Sequence, residues 1–155
     1  MNMRLQLAGF LAFVPGALPA WAQQPPSVRA TPLLRTTTTV TGQSIVYPQK
    51  SPEVTATLVE ISPGASVGWH EHPNIRYVYV IDGTLTIEMD DGSRRDYPAG
   101  GIFVEAYGTR HRGMNAGAIP VKVLFIDHSE AGASNMVKTE APVPGHAGHG
   151  PDDQH

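Results

Sequence analysis

Apolar and polar residues alternate along much of the chain with a period of two, which is the pattern of β-strands with one buried face. In Thr84–Met89, for example, threonine and glutamate alternate with leucine, isoleucine and methionine. Strand-like runs of this kind occupy residues 54–61, 76–81, 84–89, 102–106 and 121–126. Since no amphipathic helical pattern interrupts them between Leu34 and Asp127, the pattern predicts an all-β antiparallel sandwich or barrel.

Turn signals separate these runs. Pro63-Gly64 follows the first run, Asp82-Gly83 forms a strong hairpin signal after the second, and Asp90-Asp91-Gly92 follows the third. Upstream, residues 36–40 and 44–47 are β-branched or aromatic, which is the composition of edge strands. We therefore expect two short edge strands before the main series.

The ends of the chain differ in composition from its centre. Residues 1–22 join one basic residue to a proline-broken apolar run and an Ala-Trp-Ala cleavage pattern, so they are interpreted as a secretory signal peptide. Residues 23–34 contain three prolines and are predicted to form an extended linker. The predicted domain spans 35–130, and residues 131–155, rich in Gly, Ala, Pro and His, are predicted to be a disordered tail.

Charge and cysteine content narrow the possible partners and the compartment. Cleavage after Ala22 removes Arg4, which leaves 10 basic against 14 acidic residues and a net charge of −4 with neutral histidine. This balance argues against nucleic acid as a partner. The signal peptide predicts a periplasmic or secreted protein without a membrane partner after cleavage. The absence of cysteine excludes thiolate ligands, so any metal must be held by His, Asp, Glu or backbone oxygen.

His70 and His72 are separated by one residue, and alternate residues of a strand share a face. Both imidazoles would therefore point to the same side. His111 follows a later strand-like run and could meet them if the sheet folds back on itself. Three convergent imidazoles make a transition-metal site, so the pattern favours a metal centre.

Two spaced motifs resemble those of the cupin superfamily. In the first, five residues separate Gly64 from the His70-Glu71-His72 group, and Arg76 and Gly83 follow at the family's spacing, with arginine in place of the family's glutamate. In the second, the positions are Gly100, Ala106, Gly108, His111 and Asn115, with only the family's proline missing. The resemblance covers roughly residues 54–127 and implies a small jelly-roll barrel, or double-stranded β-helix, often found as a homodimer.

The resemblance also implies a site. It assigns His70, His72 and His111 as ligands of a divalent transition metal, with Fe(II) favoured and Mn, Ni, Cu or Zn as alternatives. Arg76 cannot ligate a metal, because it stays protonated and has no lone pair to donate. The remaining three-histidine arrangement resembles that of some cupin dioxygenases.

Arg76 and Glu105 are the predicted catalytic residues. Arg76 either recognises a substrate anion, pairs internally with Glu105, or faces solvent after a one-residue register slip, and the sequence leaves these alternatives open. Glu105 could itself replace the missing carboxylate ligand. By alternation, Val78 and Val80 should share the face of Arg76 and line the barrel.

Trp69 and Tyr107 flank the ligand segments, so they are candidate walls of a substrate pocket. The sequence as a whole favours an exported metal-dependent enzyme, dioxygenase-like, that acts on a small anionic organic substrate. The alternative is a non-catalytic periplasmic module that binds a small molecule or a metal. In that case His146 and His149 of the tail, which also carries His155, could serve as a metal-delivery arm.

Overall fold

The computed structural model describes residues 27–142. The predicted signal peptide and the last residues of the predicted tail lie outside this range. Nine strands run through the described residues, and no helix occurs among them. The strands are β1 (Pro52–Ile61), β2 (His70–Glu71), β3 (Arg76–Asp82), β4 (Thr84–Met89), β5 (Arg94–Pro98), β6 (Ile102–Val104), β7 (His111–Met114), β8 (Val121–Glu130) and β9 (Val137–Lys138).

The strands form two antiparallel sheets. One has the order β1-β8-β3-β6 and the other the order β5-β4-β7-β2-β9. This arrangement confirms the predicted all-β jelly roll. No helix among residues 27–142 is long and apolar enough to cross a membrane.

A buried apolar cluster fills the space between the sheets. On β3, Val78 and Val80 are fully buried whereas Tyr77 and Tyr79 are only half-buried, so the predicted alternation on this strand is confirmed. The cluster also includes Leu85 from β4. Its full membership is Ile61, Val78, Val80, Leu85, Ile87, Phe103, Val121, Val123 and Phe125.

The turn between β3 and β4 depends on Gly83. Its φ is +74°, and a Cβ at this position would lie 2.7 Å from the carbonyl oxygen of Pro120. Both the left-handed backbone and this close approach require glycine. Asp82-Gly83 thus makes the predicted turn, but the predicted hairpin is wrong, because β3 and β4 belong to different sheets and do not pair.

Two predictions about the flanks of the barrel are wrong. Residues 36–40 and 44–47 do not form edge strands, and only an isolated bridge joins Thr38 to Ser44. This segment instead attaches to the edge of the first sheet, where the amide of Val40 donates to the carbonyl of Val104. Residues 27–34 contain no strand and are exposed, which is consistent with a linker.

The segment predicted to begin a disordered tail is also ordered over its first part. Residues 131–142 belong to the described structure, and β9 pairs with β2 so that Lys138 lies opposite His70. Hydrophobic periodicity is absent here because side-chain and backbone hydrogen bonds, rather than an apolar face, attach the segment to the barrel. The tail histidines, His146, His149 and His155, lie outside the described residues.

Candidate metal centre

Three histidines converge inside one end of the barrel. His70 lies on β2 and His111 at the start of β7, and the register places them directly opposite each other. His72 follows two residues after His70, and Glu71 between them is only half-buried, as strand alternation requires. One ring nitrogen of each histidine lies within 4.8 Å of the others.

Backbone carbonyls hold the three rings. The Nδ1–H of His70 donates to the carbonyl of Gly68 at 2.8 Å, and that of His111 donates to the carbonyl of Thr109 at 2.8 Å. The Nδ1–H of His72 donates to the carbonyl of Asn135. Because a carbonyl can only accept, each Nδ1 must carry the proton, which leaves the Nε2 lone pair of a neutral ring for a ligand. Histidines that ligate metals are held in the same way.

Glu105, directly after β6, lies against this cluster. Its carboxylate lies 3.1 Å from Nε2 of His72 and 3.6 Å from Nε2 of His111, and its side chain is only 5% exposed. Glu105 therefore lies beside two of the three imidazoles, where it could serve as a fourth ligand.

Three buried atoms of this cluster have no hydrogen-bond partner among the described residues. They are Nε2 of His72, Nε2 of His111 and Oε2 of Glu105. Unsatisfied buried polar atoms are costly, and three that face one another are rare in a folded protein. A divalent cation between them would satisfy all three, so the residues present fit a metal ion.

The protonation of the cluster follows from its burial and contacts. Burial alone would raise the pKa of Glu105, but the adjacent imidazoles of His111 and His72 outweigh it and hold that pKa well below its usual range. Burial lowers the pKa of His111, but contact with the Glu105 carboxylate raises it, and the net shift is upward from 6.5. His70 has no such acid beside it, and burial lowers its pKa to about 4. A metal would therefore compete with a proton mainly at His111.

Arg76 does not pair with Glu105, so that alternative is wrong, and so is the exposed arginine. Its Nε donates to Oδ1 of Asp127 at 2.7 Å and its Nη2 to Oδ2 at 2.9 Å, and both side chains are about 90% buried. The register explains this partner, because Arg76 on β3 lies directly opposite Asp127 on β8. The Arg76 guanidinium also stacks over the Phe125 ring at 4.6 Å. Because Asp127 neutralises the charge of Arg76, the structure gives no support for a catalytic role of this arginine, which stays a prediction.

Asn135, a residue of the predicted tail, links the histidine cluster to this ion pair. The residue is 7% exposed. Its backbone carbonyl accepts from His72, and its Nδ2 donates to Oδ1 of Asp127 at 2.7 Å. Its Oδ1 accepts from the amide of Asn74. The C-terminal segment thereby positions one metal ligand and the buried acid, and no periodic pattern in the sequence marks it.

The two predicted pocket walls lie apart from the imidazole cluster. Trp69 precedes His70 and is covered by the guanidinium of Arg112, 4.9 Å from its ring. Arg112 follows His111 on β7 and therefore points to the opposite face of the sheet. Tyr107 attaches instead to the segment before β1, since its backbone bonds to the Gln43 side chain and its hydroxyl donates to the carbonyl of Ser44. A role for either residue in binding substrate remains a prediction.

The fold and the imidazole cluster together define a jelly-roll barrel with a candidate metal centre inside one end. Residues 57–127 match the family model of the cupin domain. The chain thus carries a cupin domain, and the resemblance drawn from its two histidine motifs is confirmed.

Comparisons with individual proteins found further similarities. Over 68 residues the chain is 37% identical to the tetracenomycin polyketide synthase protein TcmJ of Streptomyces glaucescens, a match that spans 43% of this chain and 45% of that protein. Among solved structures it is similar to a cupin-2 domain protein of Shewanella frigidimarina, with 25% identity, a TM-score of 0.43 and coverage of 54% of this chain and 85% of that one. It is also similar to the DMSP lyase DddQ of Ruegeria pomeroyi, with 19% identity, a TM-score of 0.49 and coverage of 56% and 43%.

Proposed function

We propose that this protein is an exported, metal-dependent cupin enzyme of the dioxygenase type that acts on a small anionic organic substrate, with Fe(II) as its metal. One observation carries the proposal. Three imidazoles, each held with Nε2 available, converge with a buried carboxylate, and three of the facing atoms have no partner among the described residues. Nitrogen and oxygen donors in such a set suit iron and manganese.

The charge of the centre supports an anionic substrate. Three neutral imidazoles contribute no charge, the carboxylate of Glu105 contributes −1, and a divalent ion contributes +2. Arg76 and Asp127 cancel each other through their two hydrogen bonds. The loaded centre would therefore keep about one net positive charge in a buried site, which favours a carboxylate, enolate or phenolate.

The chain's own residues would prepare this chemistry. The carbonyls of Gly68, Thr109 and Asn135 fix the imidazoles in one tautomer and orientation. Glu105 supplies a negative ligand and a hydrogen-bond acceptor at the centre. The apolar cluster beneath excludes water and strengthens each electrostatic contact. When bound, iron would supply Lewis acidity and redox chemistry towards dioxygen.

Metal content and oxygen uptake test the proposal together. We expect about one iron per chain in protein purified from its native host, and loss of both metal and activity in His70→Ala. The matched control is His128→Ala, which removes a histidine from β8 outside the centre. Oxygen consumption would be measured with a panel of phenols, thiols and keto acids.

Two outcomes would contradict the proposal. Stoichiometric metal without oxygen consumption across the whole panel would rule out the dioxygenase and favour a binding module. Metal that His70→Ala and His128→Ala retain equally would rule out the centre itself.

Export and assembly are part of the proposal. The signal-peptide pattern of residues 1–22 supports a periplasmic or secreted protein, and the mass of the mature chain should then correspond to a start at Gln23. A homodimer is supported by β1, an edge strand that leaves Val54 and Leu58 each 60% exposed. Light scattering should give twice the chain mass, and a monomer would contradict this part.

A further inference from the structure

A cavity of about 310 Å³ opens beside the edge of the second sheet. Its walls come from β4 and β5 and from the segment before β1, and they include Ile87, Met89, Tyr97 and Arg95. The lining is mainly apolar, with arginine at its border. This volume falls within the range of small-molecule sites.

One residue of this cavity, Met89, lies opposite a histidine of the candidate metal centre. Met89 lies directly opposite His111 in the antiparallel register of β4 and β7, so their side chains point to the same face. Ile87 lies opposite Gly113, and a Cβ on that glycine would lie 3.7 Å from Cδ1 of Ile87, so Ile87 itself fills the space there. Between the cavity and the His111 imidazole, the nearest side chain along β4 is therefore that of Met89.

Arg95 presents an exposed cation at this sheet edge. It lies opposite Ile87, and its guanidinium carbon is 5.7 Å from the centre of the Tyr97 ring. Within residues 27–142 it forms no salt bridge, although its side chain borders the cavity. The neighbouring Arg94 also borders the cavity, but its guanidinium is held by Glu88 at 3.3 Å.

The register also sets the distance from Arg95 to the centre. Two residues along β4 and two strand spacings separate Arg95 from His111, which places their Cα atoms about 12 Å apart. Ile87 and Met89 lie on the same face between the two residues, so a ligand bound there would lie against them.

We propose that Arg95 is the residue that selects substrates, by binding the carboxylate of a small monocyclic aromatic acid whose ring lies against Met89 and Ile87. The inference rests on the proposed function, since it takes the substrate to react at the imidazole cluster. Arg95 would recognise the substrate anion, a role that was one of the predictions for Arg76, whose charge Asp127 neutralises. In this proposal the bound substrate would contact Arg95 with its carboxylate and the apolar wall with its ring, and its reacting end would face the metal centre.

Calorimetric titration of the full-length protein as purified tests the assignment, with benzoate as the anionic probe and benzamide as its neutral counterpart. We expect Arg95→Gln to weaken benzoate binding about tenfold or more, because it removes a charge-assisted hydrogen bond. Benzamide binding should not change. Lys122→Gln removes one positive charge from β8, outside the lining of the cavity, and should leave benzoate binding close to that of the wild type.

Equal losses in the two variants would overturn the assignment, because only the net charge would then matter. It would also be overturned if Arg95→Gln had no effect, or if the wild type did not prefer benzoate to benzamide. Metal content and oxygen uptake, measured on the same samples, report separately on the proposed function. A metal-free or inactive protein that shows the Arg95 effect would contradict the enzyme, whereas an active one without the effect would contradict only the role of Arg95.

Discussion

The two ends of the barrel interior are built from the same strands but are completed in different ways. On β3, Arg76 lies at one end while Val78 and Val80 lie further along, and on β8 Asp127 follows Phe125. The apolar end is complete once its side chains pack. The polar end buries charges and imidazoles, and three of its atoms still lack partners among the described residues. Apolar packing therefore stabilises the fold, and this stability offsets the cost of burying charges and imidazoles at the polar end.

Breaking the buried ion pair should have the largest effect. Arg76→Met leaves Asp127 buried without its cation, and we expect a loss of about 4 kcal/mol in the free energy of unfolding, measured by urea denaturation. The control is the double variant Arg76→Met/Asp127→Leu, which removes both charges and should recover much of the loss. Equal stability of the single and double variants would show that the pair is not electrostatically coupled.

Truncating the apolar end should destabilise the protein without affecting metal. Leu85 is fully buried, so Leu85→Ala should cost about 3 kcal/mol through lost packing and a residual cavity. Elemental analysis of the folded variant should still find the wild-type metal content. A folded Leu85→Ala protein without metal would mean that the two ends are not separable.

Glu105→Gln should act mainly on metal binding. Loss of a partner outside the ligand shell already costs about tenfold in metal affinity, so loss of a direct carboxylate ligand should cost more than that. The unfolding free energy of the metal-free protein should also fall, because the lowered pKa of Glu105 and the raised pKa of His111 mean that their contact stabilises the folded protein. Metal affinity is measured by competition with a chelator, and Glu60→Gln on the exposed strand β1 is the matched control. Unchanged affinity in Glu105→Gln would exclude the acid as a ligand.

The effect of pH should be smaller and should depend on metal. The pKa of His70 falls from 6.5 to about 4 in the folded protein, so the unfolded chain binds more protons between these values and stability declines as pH falls through them. The pKa of His111 is raised above 6.5, so its contribution is fully present below 6.5 and is lost as pH rises through the folded value. The metal-free protein should therefore be most stable near pH 6.5.

Metal should remove the decline on the alkaline side, because the ion replaces the proton between His111 and Glu105. Thermal unfolding at several pH values, with and without metal, would measure this difference. The same decline above pH 6.5 in both samples would contradict a metal at His111.

The sequence predicts much of the fold and part of the centre, and the reasons are physical. A period of two and turn residues mark the strands, and the His-x-His spacing places two imidazoles on one face. The partner of Arg76 could not be predicted, since Asp127 lies 51 residues away and only the register of β3 and β8 brings them together. The place of Asn135 beside the centre could not be predicted for a related reason, because hydrogen bonds rather than an apolar stripe order its segment.

X-ray absorption spectroscopy of the metal-loaded protein decides whether the polar end of the barrel holds a metal, because it reports the ligands of the ion itself. We expect three imidazoles and one carboxylate in the shell, with one imidazole fewer in His70→Ala. A spectrum with fewer than two imidazoles, or one that His70→Ala leaves unchanged, would contradict a metal centre at the polar end of the barrel.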